Sequence, residues 1–188
     1  DDTLIIFTCD HAEMLGDHYS WGKEVYFDQS FHIPLIVRDP RKQADRSRGK
    51  KFDAFTEAID VMPTILEWLE LEAPQQCDGR SLLPFLRASQ PRDWRTEAHF
   101  EADFRDIPNQ HPEKSLGLNS DQCCYAVIRD KQYKYVHFAA LPPLLFDMQA
   151  DPWEMNNLAD DPKMAPVVLR YAQKMLSWRL SHAERTLT

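Results

Sequence analysis

Glycine is scarce in this chain, with five in 188 residues. No glycine-rich stretch is available to cradle a nucleotide phosphate with backbone N–H groups, which removes the P-loop and dinucleotide-binding classes. Cysteine is scarce as well. Cys9, Cys77, Cys123 and Cys124 form neither a disulfide framework nor the C-x-x-C spacing of a zinc site, so a reducing, cytoplasmic location is the expectation. No apolar run approaches the roughly 20 residues that span a bilayer, and no membrane partner is expected. No secretory leader is expected. Positive charge is in deficit, with 22 Lys and Arg against 30 Asp and Glu and a net charge of −8. That argues against nucleic acid as a partner, because a sequence-independent grip on a polyanion needs clustered cations. The one basic run, Arg38 to Lys51, has no interleaved aromatics and reads as a solvated loop. There is no G-x-S-x-G elbow for a serine nucleophile and no internal repeat.

What is present is a globular composition, 43% hydrophobic and 28% charged. Thr3 to Thr8 is a short apolar run with β-branched residues, which predicts a buried strand of a parallel sheet. Phe31 to Val37 predicts a second strand, with Pro34 near its start or at an edge. Asp60 to Leu71 predicts a helix, N-capped by Asp60, with Pro63 in the first turn and Ile65, Leu66 and Leu69 on its apolar face. Asp78-Gly79-Arg80-Ser81 is a turn ahead of the apolar Leu82 to Leu86. Polar residues 88–93 mark a boundary between residues 1–93, part of an α/β core, and residues 94–188, a small α+β subdomain. Within the latter, Glu97 to Phe104 predicts a strand and Asp106 to Asp121 a long loop. Tyr125–Ile128 and Tyr133–Phe138 form the arms of a hairpin, and Leu144 to Asp147 a further strand. Asp151-Pro152 starts a helical turn. A terminal helix runs from about Met164 to Arg185.

Chemistry concentrates just after the first strand. Between Asp10 and His18 stand five titratable side chains, those of Asp10, His11, Glu13, Asp17 and His18, with Lys23 following. In open α/β sheets ligands bind beyond the carboxyl ends of strands, where Asp10 and His11 fall. A carboxylate and an imidazole together suit a divalent cation of intermediate hardness. Lys23 offers a point charge for a phosphate or sulfate oxygen. The remaining histidines, His32, His99, His111, His137 and His182, read as packing or loop residues.

The run Asp10-His11-Ala12-Glu13-Met14-Leu15-Gly16-Asp17-His18, then Lys23 and Ile33-Pro34-Leu35-Ile36-Val37, resembles the C-terminal part of the sulfatase catalytic core, a branch of the alkaline phosphatase superfamily. Asp60-Val61-Met62-Pro63-Thr64-Ile65-Leu66, Asp78-Gly79-Arg80-Ser81-Leu82-Leu83-Pro84 and Asp151-Pro152-Trp153-Glu154-Met155-Asn156-Asn157-Leu158 resemble its later landmarks, in order. The stretches Phe100 to Asp106 and Tyr133 to Phe146 look most like the phosphonate monoester hydrolase subgroup. The resemblance implies an alkaline-phosphatase-like fold and hydrolysis of a sulfate ester, phosphodiester or phosphonate monoester, with a small anionic ester as substrate. It implies a calcium or manganese ion and a formylglycine nucleophile. Asp10 and His11 match the metal pair and Lys23 the catalytic lysine. Ala12 stands where the family usually has Gly. No C-x-P-x-R motif is present, so the sequence is expected to be the C-terminal piece of such a hydrolase, inactive alone. The alternative is a non-catalytic binding or oligomerisation module of the same fold, for which a homo-oligomer is the natural partner.

Overall fold

The computed structural model describes residues 2–23 and 25–183. Its backbone divides into two compact units, Asp1–Lys23 with Phe27–Thr96, and Glu24–Tyr26 with Glu97–Thr188.

In the first unit β1 (Ile5–Phe7) and β2 (Ile36–Arg38) pair antiparallel, with Ile6 opposite Val37. The expected parallel, buried strand is therefore corrected on both counts. An unbroken apolar run fixes neither pairing direction nor coverage, and here Ile5 and Phe7 are more than half exposed. The second strand is also shorter than predicted. Phe31 belongs instead to a single turn, α1 (Asp28–Phe31), and Pro34 precedes the paired residues. The basic run forms a 3-10 turn, Lys42–Ser47, whose arginines are partnered locally: Arg41 grips the Asp39 carboxylate at 2.8 Å, and Arg48 meets Asp45 at 2.9 Å.

The helix α2 (Val61–Trp68) is tied to α3 (Leu83–Leu86) through a buried polar knot. The predicted side-chain cap by Asp60 is absent. Its carboxylate is buried and takes the Arg95 guanidinium through both oxygens, at 2.8 Å on Oδ1. It also accepts the Arg80 and Glu57 backbone N–H groups, each at 2.8 Å. The Thr64 hydroxyl donates to the Asp60 carbonyl at 2.6 Å and accepts the Leu82 N–H at 2.8 Å. Gly79 lies so close to this turn that a Cβ would stand 2.0 Å from the Ile59 carbonyl oxygen. The Asp60–Leu66 and Asp78–Pro84 motifs are thus two halves of one packing device. α2 ends early because Glu70 enters the left-handed region, φ 61°, with the Leu71 N–H returning to the Leu66 carbonyl. Around α3, Leu82, Phe85 and Trp94 bury a small core, with Phe85 and Trp94 meeting edge to face.

The second unit is a four-stranded antiparallel sheet in the order β3 (Glu97–Asp103), β4 (Cys124–Asp130), β5 (Tyr133–Phe138) and β6 (Leu144–Asp147). The predicted hairpin is present, longer than expected, with Lys131 and Gln132 as its two-residue tip. Period-2 alternation sorts the residues. Ala126, Ile128, Tyr135 and Leu145 face α5 (Ala165–Ser181), which contributes Tyr171 and Met175. The predicted long loop contains a short helix, α4 (His111–Leu116), with Pro112 in its first turn and Gly117 left-handed at its end. The Asp151-Pro152 segment is a turn rather than helix, closed by the Asn156 N–H to the Asp151 carboxylate.

Lys134 and Glu154 are both fully buried and 2.7 Å apart. At the base of α5, the Asp130 carboxylate accepts from the Tyr171 hydroxyl and from the Gln132 and Tyr133 N–H groups, with Lys174 at 3.8 Å. Burial raises this carboxyl, but those donors outweigh it and hold its pKa below the ordinary aspartate value.

Candidate functional site

β1 ends at Phe7, and Asp10 and His11 follow three residues on, at the mouth of a tightly closed loop. The Asp10 side chain is 84% exposed and its Oδ2 lies 3.6 Å from His11 Nε2. The His11 N–H donates to Asp10 Oδ1 at 3.0 Å. His11 Nδ1 sits 2.7 Å from the Ala12 carbonyl oxygen. A carbonyl only accepts, so Nδ1 carries the proton and Nε2 of the neutral ring holds a free lone pair. Two acceptors, one imidazole nitrogen and one carboxylate oxygen, therefore face each other. A neighbouring backbone carbonyl that fixes the imidazole tautomer is the usual support for a metal-ligating histidine. Ala12 has no left-handed φ, so the side chain that replaces the family's usual glycine is carried without strain.

The Asp10 carboxyl is held below the ordinary aspartate value by the His11 N–H and its own N–H. The His11 ring when protonated, and the Lys23 ammonium, add to this electrostatically. Lys23 itself is exposed. Among the described residues no three His, Cys, Asp or Glu side chains converge as a complete metal cage, so this chain offers Asp10 and His11 as a pair.

The remaining members of the motif, given no chemistry by sequence, prove to be scaffolding. The Glu13 carboxylate accepts the Gly22 N–H, and the Met14 N–H reaches the Gly22 carbonyl at 3.0 Å. Residues 13 and 14 are thereby clamped to residue 22, which draws the Lys23 branch alongside the His11 branch. Met14 is fully buried beneath the clamp. The His18 ring stacks flat on Phe27 at 3.6 Å between centroids. Asp17 opens a 3-10 turn, Asp17–Tyr19, in which His18 and Tyr19 are left-handed. Each such non-glycine residue costs roughly 1–2 kcal/mol. Sequence reasoning missed the clamp; the spacing of Glu13 and Gly22 carries no recognisable signal. Of the other histidines that lie in strands, His99 is packed as predicted, whereas His137 is exposed. His99 stacks on Trp178 at 4.4 Å, and His137 Nδ1 meets the Tyr135 hydroxyl at 3.1 Å.

A model of the N-sulphoglucosamine sulphohydrolase C-terminal family matches residues 16–181. The chain belongs to this sulfatase family. The chain is 60% identical over 188 residues to the multifunctional alkaline phosphatase superfamily protein PehA of Trinickia caryophylli, covering 100% of this chain and 36% of that protein. It is 31% identical over 160 residues to arylsulfatase K of Xenopus laevis, covering 84% of this chain and 28% of the relative. The phosphonate monoester hydrolase of Agrobacterium radiobacter superposes with a TM-score of 0.92 at 49% identity, over 99% of this chain and 36% of that one. That of Silicibacter pomeroyi gives a TM-score of 0.88 at 40% identity, over 100% and 36%. The chain thus spans about a third of the length of these relatives, 36% in each of the two hydrolase structures. Among the described residues no helix is long and apolar enough to cross a membrane.

Proposed function

We propose that this chain is the C-terminal part of a metal-dependent hydrolase of sulfate esters, phosphodiesters or phosphonate monoesters. In this reading Asp10 and His11 are two ligands of a divalent cation, calcium or manganese. Lys23 contacts the anionic head of a small ester substrate. The formylglycine nucleophile and the remaining ligands belong to residues outside this chain. The observation that carries the reading is the tautomer lock. The Nδ1 proton of His11 is committed to the Ala12 carbonyl, which leaves Nε2 as a base facing an ionised carboxylate 3.6 Å away. Without a cation, two lone pairs would oppose each other in the neutral form.

A divalent cation bound here would supply Lewis acidity toward the sulfuryl or phosphoryl oxygen. The protein's own contributions are local. Asp10 is kept charged by its amide donors, and His11 is held in one orientation by a main-chain acceptor. Lys23 brings a fixed positive charge to an oxyanion without demanding a bidentate geometry. The Glu13–Gly22 clamp sets the two branches side by side before substrate arrives, so their approach costs no ordering at the moment of reaction.

The test is hydrolysis by the intact enzyme of 4-nitrophenyl sulfate and of a phenylphosphonate monoester. Asp10→Ala and His11→Ala are each expected to lower kcat/KM by about a hundredfold or more, the upper range for disturbing a metal site. Full activity in the double variant would refute the assignment. The 188-residue chain alone is expected to show no turnover, and robust metal-dependent hydrolysis by it would contradict the division of the site.

A further inference from the structure

Tyr26 has a place in the fold that its neighbours do not share. Lys23 before it and Phe27 after it belong to the first unit, whereas Tyr26 packs within the second. Phe27 is fixed in the first unit by the His18 ring stacked flat against it. Period-2 alternation puts Tyr125, Lys134, Phe138 and Phe146 on the sheet face opposite the one that α5 covers. Tyr26 lies among the three aromatic residues of that set. Its ring meets Tyr125 and Phe138 edge to face at 6.1 and 5.9 Å, and lies nearly parallel to Phe146 at 6.3 Å. These are the separations and angles at which aromatic pairs attract beyond their burial. Three such contacts on one ring, from three different strands, define a single seat.

The polar surroundings of that seat are fixed as firmly. Glu154 has a left-handed backbone, φ 57°. A non-glycine residue holds that conformation only where its surroundings over-determine it. Here its carboxylate is completely buried, 2.7 Å from the equally buried Lys134 ammonium. Burial first, and the Glu154 carboxylate second, push the Tyr26 hydroxyl above its ordinary pKa. Tyr26 therefore stays a neutral phenol, its ring among rings and its hydroxyl in the field of the buried carboxylate.

We propose that Tyr26 is the positioning residue of Lys23: the seated phenol fixes, through the short stretch of chain between them, where the ammonium meets the substrate oxyanion. This rests on the proposed hydrolase reading and gives the second unit a part in the reaction. The link is covalent. Three peptide units span at most about 11 Å, so a Tyr26 held in its seat limits where the Lys23 backbone can go. On the other side, the Glu13 carboxylate holds the Gly22 N–H. Lysine carries its charge on a flexible four-carbon stem and has no planar fork to orient it, so the protein controls its reach through the backbone. The Asp151–Leu158 motif gains a purpose as well, since its Glu154 serves the seat of Tyr26.

The test is a double-mutant cycle in the intact enzyme, with 4-nitrophenyl sulfate and a phenylphosphonate monoester as substrates. Tyr26→Ala is expected to lower kcat/KM about tenfold to a hundredfold, the cost of misplacing a reacting group by about an ångström. Tyr26→Phe keeps the ring contacts and should stay within about threefold of wild type. In a Lys23→Ala background the Tyr26→Ala loss should shrink below about twofold, because a residue that acts through Lys23 then has nothing left to position. Inserting two glycines between Val25 and Tyr26 leaves the seat filled and lengthens the tether. That variant should lose about as much activity as Tyr26→Ala with Tm unchanged, and it carries the test if Tyr26→Ala fails to fold. A Tyr26→Ala loss that persists in full without Lys23 would overturn the proposal, because Tyr26 would then support the fold and not the lysine. So would a glycine insertion that leaves activity intact. Wild-type enzyme that hydrolyses neither ester, or Lys23→Ala without effect, removes the reading of the site on which the proposal rests. An active wild type and an impaired Lys23→Ala, beside an unimpaired Tyr26→Ala, remove only the positioning.

Discussion

Two aspartates in the first unit teach opposite lessons. Asp60 is buried and saturated: an arginine on both oxygens and two backbone N–H groups leave its carboxylate no capacity for anything else. Asp10 is open, and its Oδ2 faces an imidazole nitrogen that is itself an acceptor. A carboxylate whose acceptor positions are filled by protein is structural, and one that faces a second lone pair is available to a cation. Both sit in sequence motifs shared with sulfatases, so the motif alone does not separate the roles. Saturation does.

The sharpest way to break this comparison is to remove the saturated group. Asp60→Ala strands the Arg95 guanidinium, which is itself mostly buried, and is expected to cost about 3–5 kcal/mol, as for other broken buried ion pairs. Urea unfolding of the intact protein measures it, and a loss below 1 kcal/mol would mean the knot is dispensable. Gly79→Ala drives a Cβ into the Ile59 carbonyl and is expected to cost about 3 kcal/mol, at the upper end for a single substitution. Suppression by a second change in the Ile59 turn would confirm that the backbone approach is the cause.

A third carboxylate sharpens the comparison through pH. Asp130 is partnered by Tyr171 and by backbone amides, so its folded pKa lies below the ordinary aspartate value of 3.8. Its stabilising contribution is complete above that value and lost as pH falls through the depressed one. Asp130→Asn should therefore flatten the acid limb of the stability curve below about pH 4. An unchanged limb would show that other carboxylates carry it. The smallest expected effect belongs to Asp10. Asp10→Ala should alter stability by no more than about 0.5 kcal/mol, the ordinary range at an exposed position, while activity collapses. A large stability loss there would make Asp10 a second Asp60 and end its candidacy as a ligand.

The second unit was legible because its signals are local. Alternating side chains with β-branched or aromatic residues fixed β4, β5 and β6, and helical spacing fixed α5. The short α4 was read as loop: Pro112 and Gly117 bracket it, but its six residues are too few to show a period. The first unit was read less well. Asp60 looks like a helix cap in sequence, and its true partner stands at Arg95, on the far side of another motif. Pairing direction and exposure of β1 are likewise properties of neighbours, not of the run itself. At the site, residue types and order pointed to Asp10, His11 and Lys23. The tautomer of His11 and the Glu13 clamp depend on loop geometry that no residue count encodes.

The hydrogen bond from His11 Nδ1 ends on a main-chain oxygen. That oxygen is present whatever residue occupies position 12, so the ring's orientation is inherited with the path of the backbone and not with any one side chain. The alanine at position 12, which needs no left-handed φ, leaves that acceptor in place.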